Sequence, residues 1–401
     1  MNLKSGYPFW LIKNGLPYNY PQLSVSITTD VVILGGGISG ALAAFYLMQN
    51  DIECVVIDGR TIGLGSTAAS TSLLQYEIDT PLSKLIHLSG YGNAVRAYEL
   101  CREAIYKLES VAAKIGFKDF QPRKSLYYAA HKKDEDGLYD EYLIRKGNGF
   151  KVLWLNHDAL NAEYNISAPA AILSQDGAQT NAYLFTHALL QYAIKKGLKV
   201  FDRSPVEHIQ NNKRGVVLKT STGRVIKARK MIFANGYEVV NYLDKKIVKL
   251  QSTYATISEQ VDDSVSLWKN EAMIWNTADP YLYIRTTKDR RIIVGGRDEE
   301  FSNPRRRDKL LPKKSRQLVS DFKKIFPLIP FKPEFSWTGT FGATQDGLPF
   351  IGIYPKMPHA FFSLGFGGNG ITFSQIGAEI IADLLLEKKN PDAEIFSFNR
   401  I

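Results

Sequence analysis

The sequence predicts an α/β fold: a largely parallel sheet covered by helices, joined to an α+β domain built on an antiparallel sheet. Three observations carry this. A β-branched run, Asp30-Val31-Val32-Ile33-Leu34, breaks into Gly35-Gly36-Gly37-Ile38-Ser39-Gly40, continues as a helix pattern to Met48, and returns as Cys54-Val55-Val56-Ile57 ending on Asp58. A second glycine-rich bend, Gly367-Gly368-Asn369-Gly370-Ile371-Thr372, opens an amphipathic helix with Ile376, Ile380, Ile381, Leu384 and Leu385 on one side. Between these ends, residues 245–335 are dominated by strand patterns.

The first stretch has the order strand, tight turn, helix, strand, acid. Gly35 permits the sharp turn, Gly37 lets the backbone approach a pyrophosphate, and Gly40 lets the helix lie close on the sheet. The helix N-terminus offers free N–H groups and a partial positive charge to phosphates. Asp58 sits where a carboxylate can accept both hydroxyls of an adenosine ribose, and it would repel a 2′-phosphate. A membrane span through residues 31–48 is the competing reading; its polar and glycine positions and uncharged flanks argue against it. A nicotinamide-binding chain would continue after the acid into another helix. Here Arg60 to Ser72 is a run of small, hydroxyl-bearing residues that can wrap a cofactor with main-chain N–H and hydroxyl donors.

These residues carry a family resemblance. Val32 to Gly40, Asp58 and Gly63-Leu64-Gly65-Ser66-Thr67-Ala68-Ala69-Ser70, with Trp337 to Gly352 and Gly365 to Thr372, resemble the two ends of the FAD site in the D-amino acid oxidase superfamily. That group includes glycine oxidase, sarcosine oxidase and γ-glutamylputrescine oxidase-like proteins, and the resemblance spans residues 25–395. It implies a Rossmann-type FAD-binding domain with a second, antiparallel-sheet substrate domain. Residue pattern and resemblance together assign to non-covalent FAD Gly35, Gly37, Ile38, Ser39, Gly40, Asp58, Gly59, Arg60, Gly65, Ser66, Thr67, Ser70, Thr71, Ser72 and Leu73. They add Val206, through its backbone, then Ala234, Asn235, Gly236, Gly339, Asp346, Gly367, Gly368, Asn369, Gly370, Ile371 and Thr372. The expected domains are a strap at 1–28, a discontinuous FAD-binding domain at 29–120, 174–244 and 336–401, and a substrate domain at 121–173 and 245–335.

The remaining elements follow in order. Residues 1–28, with Tyr7-Pro8-Phe9-Trp10 and Tyr18-Asn19-Tyr20-Pro21, read as an irregular strap whose aromatics seek burial, lying across the folded body or, in the alternative reading, covering the active site. Residues 79–116 read as a helix with Val95, Tyr98, Ile105, Leu108, Ala112 and Ile115 facing inward. Ser125 to Ala130 is strand-like, Lys132 to Asp136 a solvated turn, and a short helix follows. Tyr183 to Lys196 is an amphipathic helix capped by Gly197. Lys199 to Asp202 and Ser204 to Ile209 are strands, Val216–Lys219 and Arg224–Lys227 form a hairpin, and Lys230 to Gly236 is a further strand and glycine turn.

Composition narrows the setting. The 401 residues suffice for two domains, and 45% hydrophobic with 22% charged residues is ordinary for a globular protein. Two cysteines, no apolar leader at the N-terminus and no uninterrupted 18-residue apolar segment favour a cytoplasmic protein without a transmembrane segment. The net charge of +10 is scattered apart from Arg305-Arg306-Arg307 and Lys313-Lys314-Ser315-Arg316. No aromatic residues interleave with these runs as a nucleic-acid surface requires, so they read as a solvated face. Six histidines and two cysteines show no metal-ligand spacing, and Gly-x-Ser-x-Gly is absent.

The expected reaction is FAD-dependent oxidation of a C–N bond in a small amine or N-substituted amino acid. Hydride leaves a C–H beside the nitrogen for flavin N5, so positioning dominates and no acid or base is obligatory. Substrate-side candidates are Gln75, Tyr76 and Glu77 after the hydroxyl-rich loop, and Tyr281, Tyr283 and Arg285 on one face of a strand. Where the resemblance implies a carboxylate-binding arginine this chain has Phe341, where it implies a flavin-linking cysteine Gly339, where a second carboxylate-binding lysine Thr372, and where an oxygen-reactive lysine Ile293. Two alternatives follow: a dehydrogenase passing electrons to a quinone or protein acceptor, with the basic run near Arg305 on a membrane surface, and a flavin-bound tRNA-modifying or binding module.

Overall fold

Why two β-branched runs and a late strand come together is visible in the central sheet. The computed structural model describes residues 2–244 and 246–400. Strands Lys199–Phe201, Cys54–Ile57, Ile27–Leu34 and Val225–Phe233 lie parallel in that order. One face packs on helices through Ile33 and Val56 and the other on further strands through Val32 and Ile57, so the strands read as continuous apolar runs, and all four side chains are fully buried. The sequence suggested two short segments between 224 and 236; the structure has one nine-residue strand that forks. Its first half pairs antiparallel with Gly215–Thr220, and its second half is parallel to Met357–Leu364. The chain's last strands therefore join the central sheet beside Val225–Phe233.

Helices Ile38–Gln49, Ala182–Ile194 and Gly370–Leu385 pack together against this sheet. The first lies so close that a Cβ on Gly40 would come within 1.9 Å of the Gly35 carbonyl oxygen. The predicted helix over 79–116 is two, Leu82–Ser89 and Tyr91–Lys114, because Gly90 adopts φ +80° between them. Tyr98, Ile105, Leu108 and Ala112 are buried as their spacing predicts.

A nine-stranded sheet forms the second layer, in the order Lys4–Gly6, Pro333–Ala343, Lys249–Ser258, Ile292–Glu299, Leu282–Thr286, Met273–Asn276, Ser125–Tyr128, Ala170–Ser174 and Val152–Asn156. Neighbours are antiparallel except the Met273/Ser125 pair. The boundary expected at residue 336 cuts the strand Pro333–Ala343, which belongs to this sheet throughout. The N-terminal strap is more regular than expected: Lys4–Gly6 is an edge strand, and Phe9–Asn14 is a short helix burying Phe9 and Trp10.

The helix that backs this sheet was not expected from sequence. Pro304–Ile325 has 22 residues, nine basic and two acidic, and an internal Pro312, and it lies within the stretch whose pattern reads as strands. Its start was readable, since Asn303 caps the Arg306 N–H at 3.0 Å and Pro304 occupies the first turn. Its buried positions Arg307, Lys314, Leu318 and Phe322 recur with helical spacing. The basic runs are only in part a solvated face. Arg307 donates to the Asn2 carbonyl and the Thr340 hydroxyl, and Lys314 to the Arg297 carbonyl. Among the described residues no helix is long and apolar enough to cross a membrane.

The contact at Gly40 makes a prediction. Gly40→Ala must push the helix off the turn, and the unfolding free energy is expected to fall by about 1–3 kcal/mol, measured by urea denaturation.

Candidate active site

The hydroxyl-rich loop is held by its carbonyls. Trp10 Nε1 donates to the Ser70 carbonyl at 2.7 Å and Trp337 Nε1 to the Ala69 carbonyl at 2.8 Å. One guanidinium nitrogen of Arg285 donates to the carbonyls of Thr71, Ser72 and Thr180 at 2.9, 2.8 and 3.0 Å. With its acceptors engaged from behind, the loop turns Gly65, Ser66, Thr67, Ser70, Thr71, Ser72 and Leu73 toward a single cleft. Burial pulls the Arg285 guanidinium down to about 9, which leaves it charged at neutral pH. The sequence placed Arg285 with Tyr281 and Tyr283 as a possible carboxylate ligand; its donors are spent on backbone, and it does not line the cleft.

The cleft encloses about 1580 Å³ of atom-free space, its mouth included. One end is built by the first glycine turn. Gly35, Gly37, Ile38 and Ser39 line it, with Asp58, Arg60 and the returning Ala234, Asn235 and Gly236. Asp58 is oriented by two backbone donors, Gly36 N–H at 2.7 Å and Arg60 N–H at 2.8 Å. Burial pushes its carboxyl above the usual range, against those two hydrogen bonds. The Arg60 side chain is clamped on Glu238 through two hydrogen bonds of 3.0 and 2.9 Å.

The other end is built by the second glycine turn and the large sheet. Gly367, Gly368, Asn369, Gly370 and Ile371 line it with Gly339 and Phe341. Asn369 opens the helix Gly370–Leu385 without capping it, because its side chain donates instead to the carbonyls of Gln75 and Glu77 at 3.0 and 2.8 Å. The first N–H groups of that helix are left for the cleft. Gln75, Glu77, Tyr281 and Tyr283 line this end as expected from sequence. Tyr76, between two of them, faces the opposite way; it stacks on Phe150 at 5.0 Å and meets the Ser174 hydroxyl at 3.0 Å.

Other assigned positions lie outside the lining. Gly40 is spent on helix packing. Gly59 faces Pro205, whose Cα would sit 3.2 Å from an added Cβ, and Val206 already pairs with Thr220 in the next strand. Asp346 holds its own turn through the Leu348 N–H at 3.1 Å and is paired with Arg400 at 2.8 Å. Thr372 donates back to the Asn369 carbonyl at 2.9 Å.

Sequence reasoning overlooked Leu3, Trp275, Thr253 and Asp79, all in the lining. Asp79 closes the stretch Leu74–Asp79 that the sequence had singled out. Its Oδ2 accepts the Gly368 N–H at 2.6 Å, and its exposed surface faces the cleft. Burial pushes its carboxyl up, with the Gly368 N–H opposing. The buried Glu77 accepts from Ser174 at 2.7 Å and lies 3.5 Å from Arg145, yet its Oε2 has no hydrogen-bond partner. Burial raises it too, with Arg145 opposing. Asp298 is pushed up to about 7, first by burial and further by Asp79 and Asp279, against a hydrogen bond from Thr253.

Buried polar atoms of the lining, Ser66 Oγ and Asn235 Oδ1 among them, have no partner among the described residues. An adenine dinucleotide fits this cleft on three grounds: those unpaired atoms, the uncapped helix starts at Gly37 and Asn369, and the absence of a Cβ at Gly37, which would meet Thr67 Oγ1 at 2.9 Å.

Such a cleft, at the carboxyl ends of a parallel sheet and floored by an antiparallel one, defines a dinucleotide-dependent enzyme of two layers. Residues 30–384 match the DAO family, described as FAD dependent oxidoreductase, and the chain belongs to it. It is an FAD-dependent oxidoreductase. Glycine oxidase from Geobacillus kaustophilus (strain HTA426) is 26% identical over 386 residues, covering 92% of this chain and 97% of that protein. Gamma-glutamylputrescine oxidoreductase from Escherichia coli (strain K12) is 24% identical over 391 residues, covering 94% and 87%. The crystal structure of L-proline dehydrogenase from P. horikoshii superposes with a TM-score of 0.78 at 18% identity, over 93% of this chain and 97% of that one, so the fold is shared.

Two outcomes follow from this geometry. Arg285→Gln strips charged donors from buried carbonyls and is expected to lower the unfolding free energy by at least about 2 kcal/mol, read by urea denaturation, and to release FAD during gel filtration. For Asp298 the folded pKa lies above the unfolded one, so the native state binds more protons and stability falls as pH rises from about 4 through 7. Asp298→Asn is expected to flatten that decline when denaturation midpoints are compared at pH 5 and pH 8.

Proposed function

We propose that this chain holds FAD non-covalently and oxidises a C–N bond of a small amine or N-substituted amino acid. The observation that carries the reading is the single cleft lined by both Asp58 and Gly370. In this reading Asp58 takes the adenosine ribose, the glycine turn at Gly35–Gly37 and the start of the first helix take the pyrophosphate, and Ser66, Thr67 and Asn235 supply hydroxyl and amide contacts. The uncapped N–H groups after Asn369 would face the flavin end of the group and favour negative charge there. FAD, when bound, would supply a two-electron acceptor for the hydride on the carbon beside the amine nitrogen, and water would hydrolyse the resulting imine. Gln75, Tyr281, Tyr283 and Trp275 orient the substrate and keep water from the reacting carbon. Gly339 and the neighbouring lining offer no thiol, which supports non-covalent attachment.

A specific observation favours a second acceptor. No lysine lines the cleft among the described residues, and Ile293, where the resemblance implies an oxygen-reactive lysine, is fully buried among apolar side chains. Transfer of electrons to a quinone or protein acceptor is therefore the second reading.

Acid precipitation of the yellow protein is expected to leave the flavin in the supernatant; a yellow pellet overturns the non-covalent assignment. Anaerobic mixing with a panel of primary and secondary amines is expected to bleach the flavin with at least one of them, and failure with every amine overturns the reaction. Reoxidation by a quinone at a rate at least tenfold above that by oxygen marks the second reading.

A further inference from the structure

We propose that the site takes a cationic amine without a free carboxylate and that Asp79 is the counter-ion selecting it; this rests on the amine-oxidising reading above. Among the described residues the substrate end of the cleft carries two carboxylates and no base. Asp79 stands in the lining with one hydrogen bond, from Gly368 N–H, and none of the described residues pairs with it as a cation. A Cβ on Gly368 would meet Asp79 Oδ1 at 2.6 Å and the Tyr281 hydroxyl at 3.2 Å, so carboxylate and phenol converge on one point. Glu77 also lines the cleft, is 3% exposed, and keeps Oε2 without a partner.

The arginines nearby leave Asp79 without a cation. Arg60, the one base in the lining among the described residues, is clamped on Glu238 beside Asp58, at the dinucleotide end. Arg285 is bound to three backbone carbonyls, and Arg145 lies behind Glu77, on Glu141 at 2.7 Å and 3.5 Å from Glu77, so it opposes Glu77 and not Asp79. Phe341 stands where a carboxylate-binding arginine is implied. A substrate carboxylate would bring another anion beside Asp79 and Glu77 with no cationic side chain in the lining at that end, among the described residues, to receive it, and an unpaired charge in an enclosed site is strongly penalised. An ammonium there meets Asp79 directly. Tyr281, Tyr283 and Trp275 add aromatic faces, which attract a cation further when water is excluded.

The test uses the FAD-loaded protein and two ligands of similar size that cannot be oxidised at a C–H beside a free amine: benzyltrimethylammonium and benzoate. Binding is read from perturbation of the flavin absorbance and independently by calorimetry. Benzyltrimethylammonium is expected to bind at least tenfold tighter than benzoate. Asp79→Asn is expected to weaken it at least tenfold, with Asp79→Glu recovering part of the loss. Phe341→Arg is expected to bring in benzoate. For amines that reduce the flavin, Asp79→Asn should raise KM more than it lowers kcat. Flavin content and far-UV circular dichroism identify variants that fail to fold, in which case Phe341→Arg decides.

Tighter binding of benzoate by the unaltered protein, or equal binding of the ammonium by Asp79→Asn, overturns the proposal. Cation binding that depends on Asp79 without bleaching by any amine overturns the reaction and leaves the selection standing. Bleaching by amines with a KM indifferent to Asp79 does the reverse.

Discussion

The site depends on the capture of one short run of backbone carbonyls from behind. Ala69, Ser70, Thr71 and Ser72 each surrender an oxygen to a side chain from a different part of the chain: Trp337, Trp10 and Arg285. A loop of small hydroxyl residues has little of its own to hold it, and fixing each residue's backbone consumes roughly 1–2 kcal/mol of conformational entropy. Three buried donors, one of them charged, overcome that and leave the donor side of the loop facing the cleft. The N-terminal helix, the large sheet and the small sheet containing Thr180 are thereby joined through this one loop.

The same division of labour recurs across the large sheet. Along Lys249–Ser258, Thr253 lines the cleft while the next residue, Tyr254, faces the basic helix, beneath Lys314 at 5.4 Å. One face of the sheet thus carries the chemistry and the other is sealed by Pro304–Ile325, whose positive charge stands on the side away from the cleft. The concentration of bases in that helix accordingly leaves the acidic character of the site intact.

The dinucleotide half was legible in the sequence because it is local. Gly35, Gly37 and Gly40 answer a turn, an approach and a packing contact within six residues, and Asp58 ends the next strand. The bend Gly367–Ile371 was legible for the same reason. What escaped depends on distant partners: Asp79 reaches the cleft because Gly368, nearly 300 residues later, presents its N–H, and Trp275 and Leu3 enter by sheet pairing that no short window reveals. Arg285 shares the tyrosine face as its spacing says, but the three carbonyls that consume its donors come from two other segments. The basic helix was hidden by its composition, since two of its inward positions, Arg307 and Lys314, are themselves charged and are held by backbone carbonyls and side chains together.

Lys4–Gly6 lies against Trp337–Gly339, and the Thr340 N–H donates to the Leu3 carbonyl at 2.8 Å. This segment therefore waits for a strand made more than three hundred residues later, and the helix start at Gly370 comes later still. Until then it has no edge to join, and Leu3 and the early glycine turn lack the opposite wall of their chamber. Flavin capture in consequence waits for the bend at Gly367–Ile371.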